Sequence, residues 1–356
     1  MWYTIYMPSK IAINGFGRIG RTFFKLAAGD PDMDIVAIND LGDADALAYL
    51  LRYDTVYGRY GVEVKVADEG GKKYLVVGKN KALFLQEKDP AQLPWGALGV
   101  DLVVECTGLF ESFEKAKAHL AAGAKRVVIS APSKDDGSTG SPQEHTDGQT
   151  VLMGINEQTI AGAKITSNGS CTTNAAAPVI QVMAENPGVV KAILNTVHGY
   201  TPTQNLVDGS VKSKDFRRGR AAAQNIVPST TGAAVTVGKV IPELAGKFDG
   251  IALRVPVPSG SVADITFVAK RKTTKEEIND IFRKAAADPR WKGILKVTED
   301  QIVSSDILGE PYGAIVDLSF TKVVDGDLVK VLSWYDNEYG YAATLVRHVK
   351  AALASG

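Results

Sequence analysis

The chain has 356 residues, of which 45% are apolar and 22% are charged, and its 40 Lys and Arg balance its 40 Asp and Glu. This length predicts about two domains. The neutral balance gives no general attraction to nucleic acid or to an anionic membrane. Because a chain of this length with only two cysteines does not depend on disulfides, the composition favours a reducing compartment.

The first residues, Met1 to Lys10, lack the charged start, the long apolar core and the small-residue cleavage site of a signal peptide. No apolar run approaches the roughly 20 residues that span a bilayer. We therefore predict a cytoplasmic protein. Met7 is an alternative start, since the first predicted strand begins only at Lys10.

Strands and helices alternate in the first part of the chain. The sequence predicts a strand at Lys10–Asn14, a helix at Arg18–Ala28 and a strand at Asp34–Asn39, which together form a βαβ unit. The pattern recurs as a strand over 101–105, a helix over 112–122 and a strand over 126–130. This alternation predicts a parallel, doubly wound sheet.

The later chain has a different character. Residues 134–149 are almost entirely polar and are expected to form an exposed loop. Further strands, separated by longer connections, are predicted over 191–197, 250–257, 263–269 and 313–321. Helices are predicted over 273–287 and 339–354. This second part reads as an α+β domain with a largely antiparallel sheet.

The turn between the first strand and the first helix is rich in glycine. Gly15, Gly17 and Gly20 fit G-x-G-x-x-G, and Asp40 ends the next strand. In such a turn the first glycine permits the bend, the second lets a pyrophosphate approach and the third lets helix and strand pack. Asp40 is placed to bind an adenosine ribose diol. A purely structural turn is the alternative, but the combined pattern favours a dinucleotide site.

Cys171 lies between turn-forming residues and an Ala- and Val-rich stretch that reads as a helix. A thiol at a helix N-terminus lies near the positive end of the dipole, so we expect a lowered pKa and a resting thiolate. The same N–H groups can hold an oxyanion. A small buried thiol without chemistry is the alternative.

A thiolate beside a nicotinamide cofactor suits the oxidation of an aldehyde through a thiohemiacetal and a thioester. The proton then needs a base, and the chain has four histidines. His198 follows a predicted strand and begins a loop, where catalytic groups concentrate. We therefore predict that His198 is the base for Cys171, with a structural histidine as the alternative.

Groups suited to anions collect in the second half. Arg217, Arg218 and Arg220 form a basic cluster, and a hydroxyl-rich turn over 229–234 precedes a predicted helix. Arg254 stands among apolar strand residues, where a charge must be paired or functional. Together these groups predict a substrate with one or two phosphates.

Three runs carry a resemblance to a known family: Ile13–Arg21, Ser170–Asn174 and Ser333–Glu338. In these runs the chain resembles the phosphorylating glyceraldehyde-3-phosphate dehydrogenases. The resemblance extends from about Lys10 to the C-terminus. The resemblance implies a Rossmann domain over 8–170 that is completed by the C-terminal helix, 338–356, and an α+β catalytic domain over 171–337. It implies NAD, inorganic phosphate, a phosphorylated aldehyde and a homotetramer, with no metal, membrane or nucleic-acid partner.

The resemblance also implies roles for individual residues. Cys171 is the nucleophile and His198 its base. The residues at the family's phosphate positions are Ser170, Thr172, Thr201, Arg220, Thr231, Gly232 and Arg254. Those at its dinucleotide positions, beside the three glycines, are Arg18, Ile19, Asp40, Lys88, Ser130 and Asn337.

The chain departs from the family pattern in four places. The 134–149 segment is longer than usual. Ala175 replaces a cysteine that is often found four residues after the nucleophile, and Lys88 stands where Arg is common. Extra residues precede Phe216–Arg220, so Arg217 and Arg220 both remain candidates for the anion site.

The cofactor and the reaction have alternatives. Asp40 and Leu41 resemble NAD-using members, whereas Ser210 resembles a residue of members that also accept NADP. We favour NAD, with NADP as a secondary cofactor. Rival hypotheses are an erythrose-4-phosphate dehydrogenase, which hydrolyses its thioester, an aspartate-semialdehyde dehydrogenase, and a non-catalytic protein that binds a nucleotide, RNA or another protein. The turn over 231–234 favours the phosphorylating enzyme.

Overall fold

A computed structural model describes residues 7–135, 148–211 and 215–355. The chain divides into two compact units. The first comprises the chain up to Val151, Glu157–Asn168 and the chain from Leu345 onward. The second comprises Leu152–Asn156 and Gly169–Thr344.

The first unit is built on a nine-stranded sheet with the order β10-β11-β9-β8-β1-β2-β7-β6-β5. Its strands are β1 Ser9–Asn14, β2 Met33–Asn39, β5 Val64–Glu69, β6 Lys72–Val77, β7 Asn80–Leu85, β8 Leu102–Glu105, β9 Arg126–Ile129, β10 Gly148–Thr150 and β11 Ile165–Ser167. A small hairpin is formed by β3 Tyr53–Asp54 and β4 Gly58–Arg59. Its helices are α1 Arg18–Ala27, α2 Ala44–Arg52, α3 Trp95–Leu98 and α4 Phe113–Ala121.

Seven strands of this sheet run parallel, as predicted. Parallel neighbours require a crossover connection between them, and the alternating pattern of the sequence supplies such connections. Ile11, Ile13 and Val103 are fully buried, as expected for strands with both faces covered. The edge β5-β6-β7 is antiparallel and was not predicted. Its strands are joined by short turns at Gly70–Gly71 and Gly78, where φ is positive.

The second unit is built on a seven-stranded sheet with the order β13-β14-β12-β15-β18-β17-β16. Its strands are β12 Val189–Gly199, β13 Val227–Thr230, β14 Phe248–Val255, β15 Ser261–Ala269, β16 Leu295–Thr298, β17 Ala314–Val324 and β18 Leu328–Tyr335. Its helices are α5 Cys171–Glu185, α6 Ala233–Val240 and α7 Lys275–Ala287. The last helix, α8 Tyr339–Ala354, begins in this unit and ends in the first.

This sheet is largely antiparallel, as predicted; only β12–β14 and β16–β17 are parallel pairs. Helix α5 packs on one face, and Ala176, Ile180 and Met183 are fully buried there. Strand β18 was not predicted. The predicted loop over 134–149 lies largely outside the described residues, but Gly148 and Gln149 belong to β10. No described helix is long and apolar enough to cross a membrane.

Within the first unit, His348 of α8 is fully buried and holds the strand that leads toward Cys171. Its Nδ1 lies 3.1 Å from Asn168 Oδ1, and its Nε2 lies 2.7 Å from Thr166 Oγ1. An amide oxygen can only accept, so Nδ1 carries the proton and Nε2 accepts from the threonine hydroxyl. Burial lowers the pKa of this histidine from 6.5 to about 3.

This histidine predicts a loss of stability in mild acid. Between pH 6.5 and 3 the unfolded chain binds a proton at position 348 that the folded chain does not bind, so stability falls as pH falls through that window. In urea denaturation, wild type should lose about 1.4 kcal/mol more than His348→Gln for each pH unit below 6.5. Equal pH dependence of the two proteins would contradict this.

Candidate active site

Cys171 is the first residue of α5, as predicted. Ser170 caps the helix, because its hydroxyl oxygen accepts the N–H of Thr173 at 3.0 Å. The preceding glycine, Gly169, has a φ of 64°, which lets the chain turn into the helix. The cap therefore fixes the thiol at the positive end of a 15-residue helix.

His198 lies near the end of β12 on its buried face, and its Nε2 lies 3.4 Å from Cys171 Sγ. Its Nδ1 lies 2.6 Å from the carbonyl oxygen of Gly199. Since that oxygen can only accept, the proton is on Nδ1, and the lone pair of Nε2 faces the thiol. The predicted pair of nucleophile and base is thus in hydrogen-bonding geometry.

Arg254 lies beside this pair because β12 and β14 run parallel with His198 opposite Arg254 in register. Its Nη1 donates to the Gly199 carbonyl at 3.2 Å, the same oxygen that accepts from His198 Nδ1. The two nitrogens are 2.9 Å apart, but both are N–H donors, so they share this oxygen and do not bond to each other. Arg254 Nε is buried without a partner among the described residues. A partly unpaired guanidinium beside a thiol suits an anionic substrate.

The charges of the site set its protonation. Burial, and next the charge of Arg254, lower the pKa of His198 to about 3. Burial also raises the pKa of the Cys171 thiol, although Arg254 and hydrogen bonds from Thr172 oppose that rise. The pKa of this thiol is therefore raised and not lowered as expected, because desolvation outweighs Arg254 and the hydrogen bonds. Both shifts favour the neutral forms, a protonated thiol beside an unprotonated imidazole.

Two of the predicted phosphate-binding threonines lie in the loop after β12 and just before α6. Thr231 precedes the cap of α6, Gly232, and its Oγ1 accepts the N–H of Ala233 at 3.2 Å. Thr201 Oγ1 lies 2.9 Å from Thr203 Oγ1 in the loop after β12. These residues stand at the end of a strand and at the start of a helix, where a phosphate can accept hydrogen bonds.

The basic cluster needs a correction. Arg220 pairs with Asp208 at 2.8 Å, and both side chains are largely exposed. Arg217 pairs with Asp215. Arg218 instead donates to Ser229 Oγ at 2.7 Å and to Thr203 Oγ1 at 3.3 Å. Its charge also lowers the pKa of His198. Of the three arginines, Arg218 is therefore the one that lies in the site around Cys171 and His198, in place of the predicted Arg220 or Arg217.

Tyr335 is a site residue that sequence reasoning missed. Its hydroxyl lies 2.9 Å from Thr172 Oγ1 and 2.7 Å from Thr196 Oγ1, and its ring packs edge-on against His198. Burial raises the pKa of this phenol, so it stays protonated. It belongs to the run Ser333–Glu338 that carried the family resemblance, which was the available signal.

The first unit holds a separate cleft of about 290 Å³ at the carboxyl ends of β1, β2 and β8. Four of the residues predicted to bind a dinucleotide line it: Gly15, Gly17, Asp40 and Lys88. Gly15 has a φ of 93°, and a side chain there would collide with the backbone of Cys106 and Thr107. A Cβ at Gly17 would meet no atom within 4 Å, so the backbone there is open to a ligand.

Asp40 is held on both sides before any ligand binds. Its Oδ2 accepts the N–H of Phe16 at 2.6 Å, and its Oδ1 accepts the N–H of Gly42 at 2.8 Å. The carboxylate therefore ties the glycine turn to the end of β2. A fixed anion here suits a ribose diol and repels a 2′-phosphate.

The other predicted cofactor residues have different positions. The side chain of Arg18 is paired with Asp54 at 2.9 Å. At the start of α1, Arg18, Ile19 and Gly20 therefore offer a ligand their backbone N–H groups. Ser130 follows β9. Asn337 belongs to the second unit, where its Oδ1 accepts from Ser261 Oγ at 2.8 Å and from Gly260 N at 3.1 Å.

Comparison with known proteins gives consistent matches over the chain. The family model for the NAD binding domain of glyceraldehyde 3-phosphate dehydrogenase matches residues 9–113, and the model for its C-terminal domain matches residues 170–337. The glyceraldehyde-3-phosphate dehydrogenase of Streptomyces coelicolor is 48% identical over 343 residues, which are 96% of this chain and 97% of the relative. That of Mycobacterium tuberculosis is 49% identical over 348 residues, with the same coverage, and that of Clostridium pasteurianum is 46% identical over 343, covering 95% and 97%.

The position of Arg254 predicts the reactivity of the thiol. Because its charge lowers the pKa of Cys171, Arg254→Gln should raise that pKa and slow alkylation by iodoacetamide at pH 7 about tenfold. Arg254→Lys keeps the charge and should lie near wild type. Arg283→Gln, an exposed arginine of α7, is the matched control. An unchanged rate in Arg254→Gln would contradict the prediction.

Proposed function

This chain belongs to the glyceraldehyde-3-phosphate dehydrogenase family, and we propose that it oxidises D-glyceraldehyde 3-phosphate to 1,3-bisphosphoglycerate with NAD and inorganic phosphate. The observation that carries this proposal is the 3.4 Å contact between Cys171 Sγ and His198 Nε2. A nucleophile that is aligned with an unprotonated base can add to an aldehyde carbonyl.

In the first step, His198 Nε2 takes the thiol proton as Cys171 Sγ forms a bond to the aldehyde carbon. The carbonyl oxygen becomes an alkoxide, which the N–H groups at the start of α5 stabilise and which then takes the proton from His198 Nε2, so that the imidazole is neutral again. The raised pKa of the thiol favours a proton transfer that is coupled to the attack. The product is a thiohemiacetal on Cys171.

In the second step, the hydroxyl proton passes to His198 Nε2 while the C–H bond breaks, and a thioester remains on Cys171. When bound, NAD supplies the acceptor for the departing hydride. The low pKa of His198 means that the imidazole is unprotonated and ready before each transfer. Its Nδ1–H stays on Gly199, which keeps the ring oriented.

In the third step, an oxygen of inorganic phosphate attacks the thioester carbonyl and the C–S bond breaks. The departing sulfur takes the proton back from His198 Nε2, and the acyl phosphate leaves with the Cys171 thiol regenerated. We assign the binding of the substrate phosphate and of inorganic phosphate to Ser170, Thr172, Thr201, Thr231, Gly232 and Arg254. Arg218 replaces Arg220 in this set, since Arg220 is occupied by Asp208.

We assign the cofactor to the cleft of the first unit. Gly15, Gly17 and Gly20 shape the turn, and the start of α1 at Arg18 and Ile19 faces the phosphates. The remaining assigned residues are Asp40, Lys88, Ser130 and Asn337. The fixed Asp40 carboxylate favours NAD, with NADP as a secondary cofactor.

We assign residues 8–170 and 338–356 to the NAD-binding domain and 171–337 to the catalytic domain. The family matches to 9–113 and 170–337 support this division. We also propose a cytoplasmic location, which the two free thiols, Cys106 and Cys171, support.

Phosphate dependence tests the reaction most directly. With glyceraldehyde 3-phosphate and NAD, the steady-state rate of NADH formation should fall at least about a hundredfold when inorganic phosphate is omitted, because the thioester then awaits slow hydrolysis. Erythrose 4-phosphate serves as the comparison substrate. A rate independent of phosphate would instead favour the erythrose-4-phosphate dehydrogenase alternative.

We further propose a homotetramer, which the outer face of the second sheet supports. Side chains alternate along β12 and β14, and this places Ile193 and Ile251 on that face, each more than half exposed. Asn195 lies opposite Ile251 in register, and its Oδ1 is buried without a partner among the described residues. An exposed apolar face with an unpaired polar atom is typical of an interface.

Light scattering tests the assembly. Wild type should have a mass near four times the 37.9 kDa of one chain, and Ile251→Lys should lower it, because a charge is costly in an apolar interface. Val303→Lys, an equally exposed apolar position in a loop, should leave the mass unchanged. A monomeric wild type would refute the tetramer.

A further inference from the structure

A network of buried, hydrogen-bonded polar side chains lies beneath the cleft of the first unit. Glu105, the last residue of β8, is 2% exposed and His119 of α4 is fully buried. Glu105 Oε2 accepts from Asn14 Nδ2 at 2.6 Å and lies 3.0 Å from His119 Nε2. Trp95 Nε1 donates to His119 Nδ1 at 3.0 Å.

These contacts determine which ring nitrogen of His119 carries the proton. An indole N–H can only donate, so His119 Nδ1 must accept, and Nε2 carries the proton that is donated to Glu105. The other carboxylate oxygen, Oε1, accepts the N–H of Thr107 at 2.7 Å and its hydroxyl at 2.5 Å. Glu105 therefore receives four donors, the number that two carboxylate oxygens can accommodate.

The network ends on residues that line the cleft. Thr107 Oγ1 accepts the N–H of Leu109 at 3.0 Å, and both residues line the cleft. Asn14 Oδ1 accepts from Asn39 Nδ2 at 2.7 Å, so the ends of β1, β2 and β8 are joined through side chains. The backbone of Cys106 and Thr107 also presses on Gly15, where there is no room for a Cβ.

We propose that Glu105 and His119 are positioning residues for the dinucleotide. They hold the turn after β8 against the glycine turn and thereby keep the two walls of the cleft at a fixed separation. Neither needs to touch the cofactor. The proposal rests on the assignment of this cleft to NAD.

The chemistry of the network makes the carboxylate specific. An amide at position 105 keeps one acceptor oxygen but turns an NH₂ toward donors that are already fixed. His119 cannot relieve the clash by moving its proton to Nδ1, since Trp95 already donates there. A buried donor that loses its acceptor is destabilised, and a tenfold loss of affinity corresponds to about 1.4 kcal/mol.

The test is the affinity for NAD without aldehyde, measured by isothermal titration calorimetry. Glu105→Gln should raise the NAD dissociation constant about tenfold and raise the KM for NAD by a similar factor. We expect kcat at saturating NAD and the alkylation rate of Cys171 to stay within about twofold of wild type, because the second unit is untouched.

A second pair of variants keeps the test valid if Glu105→Gln does not fold. His119→Gln can donate to Glu105 and accept from Trp95, so it should bind NAD nearly as wild type does. His119→Leu can do neither and should weaken NAD binding. Ser112→Ala removes the cap of the same helix, α4, and should lower the melting temperature without changing NAD affinity.

The outcomes separate the two proposals. If wild type does not bind NAD, the cofactor assignment fails. If wild type binds NAD but Glu105→Gln and His119→Leu bind it equally well, the positioning role is wrong and the assignment stands. If Ser112→Ala loses as much NAD affinity as His119→Leu, the network only stabilises the fold and the positioning role is again wrong.

Discussion

The hydrogen bond from His198 Nδ1 to the carbonyl of Gly199, at 2.6 Å, is the constraint on which the rest of the site depends. It fixes the tautomer, and so it leaves the lone pair of Nε2 facing Cys171 Sγ. Desolvation shifts the pKa of each group toward its neutral form. These shifts favour a nucleophile that forms as its proton passes along this contact, which couples bond formation to proton transfer.

Both units use the same structural solution to place their functional groups. In the first, the carboxyl ends of parallel strands bring Asn14, Asp40 and Glu105 to one edge. In the second, the parallel pair β12–β14 places His198 and Arg254 in register at its carboxyl end. Strand ends supply fixed backbones, and the loops that follow them supply exposed side chains.

Local patterns were sufficient for a large part of the site. The glycine turn, Asp40, the start of α5 at Cys171 and the strand end at His198 depend on residues close in sequence, and the structure places them as predicted. The alternation of strands and helices, and its change after Cys171, were sufficient for the fold class.

Other features depend on contacts that no local pattern encodes. The thiol pKa depends on how deeply Cys171 is buried. The choice of Arg218 over Arg220 depends on which side chain turns toward Ser229 and which meets Asp208. Tyr335 reaches Thr172 from a strand more than 160 residues away, and the antiparallel edge β5–β7 depends on a sheet pairing that alternation did not indicate.

A single-turnover measurement tests the account most directly. Wild type is mixed with glyceraldehyde 3-phosphate and NAD in the absence of phosphate, and NADH is followed by stopped flow. We predict a burst of about one NADH per active site followed by near arrest, a burst slowed about a hundredfold or more in His198→Asn, and none in Cys171→Ser. A full burst in Cys171→Ser would contradict the covalent mechanism.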